Sequence, residues 1–164
     1  MKKIPTIFKS ETYKYLSEAR GTWRERNGWN EHLTVREIRE MEEADEEFHV
    51  AKKRLSYLRA NLVRAASRAT NRHEINITLD ELYEIGEDQD WCCNLSGDEL
   101  EFERGGDYVN STNKFSCTID RIDPNKGYIT GNVQLVTWMT NLMKGPLDND
   151  EFIAYCEDVA KYCR

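Results

Sequence analysis

The run Cys117–Gly145, CTIDRIDPNKGYITGNVQLVTWMTNLMKG, is more tightly constrained than any other part of the chain. Asp123-Pro124-Asn125-Lys126-Gly127 places proline ahead of glycine, an order that favours a turn. Proline pre-sets the backbone angle at the turn's entry, and glycine tolerates angles that other residues avoid. Gly145-Pro146 closes the run, because glycine ends a helix and proline cannot continue one. These breaks predict a strand over about 116–122, a second over about 127–130 and a helix over about 137–143. Such a strand–turn–strand–helix unit brings Asp120, near the end of the first strand, opposite Asn141 on the helix.

Upstream, residues about 7–26 show Phe8, Tyr15, Leu16, Ala19 and Trp23 near helical spacing, and Asn27-Gly28 breaks that pattern. Residues from Thr34 to about Arg72 again have the character of helix, with Leu55, Leu58, Leu62, Ala65 or Ala66, and Ala69 as one apolar stripe. The acidic run Glu40–Glu47 is expected to face water. Thr78 and Glu81 have the spacing of a capping box, as do Asp148 and Glu151 ahead of a last helix. That last helix is expected to bury Phe152, Ile153, Cys156 and Val159. WCCNLSGDEL, residues 91–100, is expected to form a buried strand or a hairpin edge, with Ser96-Gly97 at the turn.

Charge is unevenly spread. Residues 51–72 carry seven basic side chains (Lys52, Lys53, Arg54, Arg59, Arg64, Arg68, Arg72) and no acidic one. Residues 73–164 hold 7 basic and 19 acidic residues, a balance of −12 within a whole-chain charge of −7. This suggests a basic docking element beside an acidic module. Arg64, Arg68 and Arg72 share one helix face, which suits either a wet surface or a stripe tracking phosphates. The five cysteines are odd in number and irregularly spaced, which points to a reducing cytoplasm rather than a disulfide framework. No C-x-x-C pair occurs, so no structural zinc is expected. A mean hydropathy of −0.77 leaves no apolar run for a membrane span, and the basic N-terminus lacks the apolar stretch of a signal peptide.

Asp120 and Asn141 offer a carboxylate and an amide oxygen, hard donors suited to Mg²⁺ or Mn²⁺. Asn132 sits where a side-chain amide can tie a loop to the backbone. Taken singly, these residues admit ordinary roles: Asp120 can pair with Arg121 or Lys144, and Asn141 can be a polar helix residue.

As a phrase, IDRIDPNKGYITGNVQLV followed by NLMKG resembles the HNH, or His-Me-finger, endonuclease family, in particular its small phage-encoded members. The similarity covers roughly residues 60–160, taking in RAASRATNRHEINITLDELYEI and CNLSGDEL upstream and NLMKGPLDNDEFIAYCEDVA downstream. It implies a ββα-metal unit within residues 73–164 and a closing C-terminal helix; the first 50 or so residues lie outside it. With the helical periodicity read for the N-terminal region 1–72, its basic helix at about 51–72, the chain is expected to be α+β and mainly helical. The resemblance also implies one Mg²⁺ or Mn²⁺ held by Asp120 and Asn141, with Asn132 as the central asparagine holding the loop.

Arg121 stands where the family's general-base histidine usually sits, an Asp-Arg pattern that the similar phage proteins share. Arginine stays protonated and cannot take a proton from water. Where that base is essential, its loss removes roughly 10²–10⁴-fold of rate. Arg121 can instead grip the scissile phosphate, or His73 can serve as base, or the fold can persist as a binding module. Lys126 and Lys144 are candidate phosphate contacts, and Arg64 and Arg68 candidate DNA contacts. The resemblance implies a metal-dependent endonuclease or nickase acting on DNA, expected to be double-stranded, in the host cytoplasm. Two other classes stay open. One is a catalytically inactive acidic protein that binds a basic protein partner or mimics nucleic acid. The other is a DNA-binding module without catalysis.

Overall fold

The computed structural model describes residues 46–68, 74–103 and 113–163. The expected helix at 7–26, most of the acidic run, Arg72 and His73 lie outside the described residues. The chain is α+β, with four helices and two small sheets among the described residues. In chain order these are α1 (Glu46–Arg68), β1 (Ile75–Asn76), α2 (Leu79–Asp88), β2 (Cys117–Arg121), β3 (Tyr128–Ile129), β4 (Val133–Thr137), α3 (Trp138–Lys144) and α4 (Asn149–Tyr162). No helix among the described residues is long and apolar enough to cross a membrane.

The described part of the stripe expected on α1 is buried, and Ala69 lies outside the described residues. Ala51, Leu55, Leu58, Leu62 and Ala65 recur every three or four residues and are all buried. Ala51, Leu55, Leu58 and Leu62 join Ile77, Leu79 and Leu82 of the α2 region and Cys117, Ile119, Val133, Leu135 and Val136 of the hairpin in one core. Each fully buried Leu or Ile there contributes ~1.5–3 kcal/mol from removal of apolar surface from water.

Helix α2 begins at the capping box: the Glu81 amide donates to Thr78 Oγ1 at 3.1 Å, and the Thr78 amide donates to Glu81 Oε2 at 2.7 Å. The same Glu81 accepts from Thr130 Oγ1 at 2.6 Å, tying the start of α2 to the bend between β3 and β4. Past the end of α2, Asp90 and Trp91 adopt left-handed angles, φ 50° and 57°. They fold the Trp91 indole back onto Gly86, where an added Cβ would lie 2.3 Å from the ring. Trp91 stacks edge-on with Tyr83 and Phe102, and the Arg54 guanidinium lies 4.1 Å from its centroid. Arg54 therefore serves packing within the body rather than the basic surface expected of its helix.

The hairpin differs from its expected form. β2 pairs antiparallel with β4, Cys117 opposite Thr137 and Asp120 opposite Gln134. The expected second strand at 127–130 shrinks to Tyr128–Ile129, which lies parallel to Ile75–Asn76 instead. β4 shows no apolar–polar alternation to betray it, because all five of its residues are buried. Gly127 permits the parallel contact: a Cβ there would sit 2.2 Å from the Glu74 carbonyl oxygen.

The closing helix α4 has its Asp148–Glu151 capping box, but only Phe152 of its expected apolar side is buried. Ile153 and Val159 are each 45% exposed and Cys156 is half-buried. The helical period is present in the sequence, yet no described element packs along that face. α3 is turned the other way from its composition: Thr140 and Lys144 face inward while Leu142 and Met143 are each 61% exposed.

Two outcomes follow for stability. Gly86→Ala gains up to ~1 kcal/mol of helix propensity, but the clash with the packed Trp91 ring costs about 1–3 kcal/mol. Urea denaturation should therefore show net destabilisation. The second concerns Glu81. Burial alone would raise its carboxyl, but hydrogen bonds from Thr130 and Thr78 outweigh that and hold it below its ordinary 4.5. A carboxyl depressed on folding stabilises above its unfolded value, and that contribution is lost as pH falls through the folded value. Glu81→Gln should lower the midpoint of thermal unfolding at pH 7, and its gap from the parent chain should narrow as pH falls below 4.5 and through the carboxyl's lowered folded value.

Candidate active site

Side chains alternate along β2, and the two faces serve different ends. Cys117 and Ile119 belong to the core that α1 enters, while Thr118 and Asp120 point to α3. Asn141 and Lys144, three residues apart, share one side of α3 and meet that face in two rungs. Asn141 Nδ2 donates to Thr118 Oγ1 at 3.0 Å. Lys144 Nζ lies 3.1 Å from Asp120 Oδ2 and donates to the Arg121 carbonyl at 2.8 Å. Asn141 thus stands opposite Thr118, and Asp120 has Lys144 as its direct partner on the helix.

This ion pair is deeply placed, with side-chain exposures of 1% for Lys144 and 9% for Asp120. Burying two charges is tolerable only when they are paired and their remaining sites are hydrogen-bonded. The extra bonds come from Gln134, the cross-strand partner of Asp120, whose Nε2 donates to Asp120 Oδ2 at 2.9 Å. Gln134 is itself held by Asn149 in a reciprocal amide pair of 2.8 and 3.0 Å, and its Oε1 also accepts from Asn94 at 2.7 Å. Sequence reasoning missed Gln134, Asn94, Asn149 and Thr118. An Asp–Gln pair across two strands could have been found only with the β2–β4 register in hand.

The turn between β2 and β3 is closed by Asn132, which is 5% exposed. Its Oδ1 accepts from the Asp123 amide at 3.0 Å, and its Nδ2 donates to the Asp123 and Gly127 carbonyls at 3.1 and 2.9 Å. Arg121 grips the same turn from the other side. Its Nη1 donates to the Pro124 carbonyl at 2.8 Å and the Lys126 carbonyl at 3.3 Å, with the guanidinium 5.3 Å from the Tyr128 centroid. Lys126 is exposed and pairs with Asp123 at 3.3 Å. The amide of Asn125 holds the Asp123 carboxyl below its usual range, and Lys126 lowers it further.

Of the candidate DNA contacts, Arg64 stands on α1, the helix packed on the Cys117–Ile119 face of β2 rather than on the Asp120 face. Arg64 is exposed on α1 and donates to Asn61 Oδ1 at 2.8 Å, and Asn61 Nδ2 donates to the Cys117 carbonyl at 3.0 Å. Arg68 ends α1, and its side chain lies outside the described residues. Both thiols here are buried: burial pushes Cys117 up to about 12, while at Cys93 burial is outweighed by hydrogen bonds, led by that of Ser96, which lower the thiol.

Among the described residues, no group of three or more His, Cys, Asp or Glu side chains could hold a metal. A divalent ion would instead rest on Asp120 and the amide oxygen of Asn141, with water for its other positions. The donors fit that role. The contacts described for Asp120, from Gln134 and Lys144, both fall on Oδ2. Mg²⁺ tolerates so sparse a protein set because it keeps several waters.

Asn132→Ala strips one donor group from two carbonyls and an acceptor from one amide. The expected loss is ~2–3 kcal/mol of unfolding free energy in urea titration. Asn132→Asp should not restore it, because a carboxylate cannot donate to the two carbonyls. Comparison of the chain with protein-family models, curated proteins and solved structures yields no significant match.

Proposed function

We propose that the chain is an HNH-type, metal-dependent endonuclease or nickase that hydrolyses phosphodiester bonds of double-stranded DNA. In this reading β2, β4 and α3 are its ββα-metal unit. The observation that supports it best is the meeting of Asp120 with α3. A buried strand-borne carboxylate, engaged through Oδ2, lies beside a helix that carries Asn141 and Lys144. Asp120 and Asn141 hold one Mg²⁺ or Mn²⁺. When bound, that ion supplies Lewis-acid polarisation of the phosphate and a more acidic water.

The chain's own residues supply position and charge. Gln134 fixes the carboxylate's orientation through Oδ2. Asn132 and Arg121 hold the turn that follows the Asp120 strand. Arg121 donates only through Nη1 among the described residues, so its Nε and Nη2 remain able to meet a phosphate oxygen. Arg64 and Arg68 near the end of α1 bind the DNA backbone without reading sequence.

A second reading has its own support. The Asp120–Lys144 pair is complete as it stands, and residues 73–164 carry a balance of −12. Both suit a non-catalytic acidic module that engages a basic protein partner.

Purified protein should nick or cut supercoiled plasmid with Mg²⁺ or Mn²⁺ and stop on addition of EDTA. Asp120→Ala should lower the rate by ~10²–10³-fold, the scale of losing one electrostatic stabiliser of the transition state. Undiminished cutting by Asp120→Ala would sink the assignment. Absence of cutting, with a basic protein partner still bound by Asp120→Ala and Asn141→Ala, selects the second reading.

A further inference from the structure

Lys144 makes an unusual use of a lysine. It lies on a seven-residue helix whose larger apolar side chains face water, yet it is sent inward with Thr140, to 1% exposure. Its ammonium sits between two oxygens, Asp120 Oδ2 at 3.1 Å and the Arg121 carbonyl at 2.8 Å. Carboxylate and carbonyl oxygens are the same hard donors that suit a divalent ion. Gln134 then donates a second contact to the carboxylate from a position locked by Asn149 and Asn94. Lys144 therefore already neutralises the one acidic ligand of the site.

We propose that Lys144 is a built-in competitor of the divalent ion for Asp120. This rests on the nuclease reading above. Two positive groups on one carboxylate repel each other, and in a poorly solvated site that repulsion is weakly screened. The free protein therefore holds Mg²⁺ or Mn²⁺ weakly. The negative charge of a DNA phosphate relieves the repulsion, so ion and nucleic acid enter the site together. Lys144 acts here as a positioning residue that sets metal affinity.

The test is a titration of the full chain with Mn²⁺ alone, following the loss of the free-ion paramagnetic resonance signal. Lys144→Met should bind Mn²⁺ at least about tenfold more tightly than the parent, and Asp120→Asn with Lys144→Met should lose that gain. Equal Mn²⁺ affinity in parent and Lys144→Met, abolished in both by Asp120→Asn, overturns the competition and leaves the nuclease reading standing. Absence of Asp120-dependent Mn²⁺ binding in every variant overturns both. Lys144→Met leaves a buried carboxylate without its partner, so Lys144→Gln, which keeps a donor, is measured beside it. If circular dichroism finds both variants unfolded, the unmodified chain decides. Its Lys144 ammonium resonance should shift saturably with Mg²⁺, and a resonance that Mg²⁺ leaves in place overturns the proposal.

Discussion

The buried contact between Lys144 and Asp120 is the constraint from which the rest of the hairpin follows. A lysine ammonium withdrawn to 1% exposure requires a fixed anion, and the anion requires its own fixed donors. Asp120 can serve only if β2 ends beside α3, and α3 arrives there only if β4 runs antiparallel to β2 and stops at Thr137. Gln134 must then stand opposite Asp120, and Asn149 must begin α4 within reach of Gln134. A single charge pair thus links β2, β4, α3 and the first turn of α4.

The loop beside this pair is built on a separate principle. Asn132 satisfies three backbone groups with one buried side chain, and Arg121 satisfies two carbonyls from outside. Arg121 thereby has a structural task that an imidazole could not copy, since the guanidinium alone reaches both carbonyls while stacking on Tyr128. The Asp-Arg order therefore has a local physical reason in the turn that it holds.

Much of the architecture was legible because its causes are local. The Thr78–Glu81 and Asp148–Glu151 boxes mark helix starts by side chains that bond amides three residues away. The α1 stripe was legible because burial on one helix face imposes its own period. The candidate residues Asp120, Asn132, Asn141 and Lys144 could be named because polar side chains beside strand, turn and helix breaks are conspicuous. β4 was not legible: a strand buried on both faces has no alternation, and Tyr128–Ile129 beside the turn resembled a strand more strongly. The side of α4 expected to be covered failed for the opposite reason. Periodicity states which residues share a face and is silent on whether anything packs there.

By itself, the sequence determined where helices begin, where the chain must turn and which residue types could carry chemistry, since each depends on neighbours a few positions away. Only the tertiary structure decided the partners. It set Lys144 rather than Asn141 against Asp120, put Gln134 behind the carboxylate, turned Arg121 into the loop and left Arg64 on the helix packed against the other face of β2. Those choices rest on strand register and helix placement. A shift of one residue along β4 would send every one of its side chains to the opposite face.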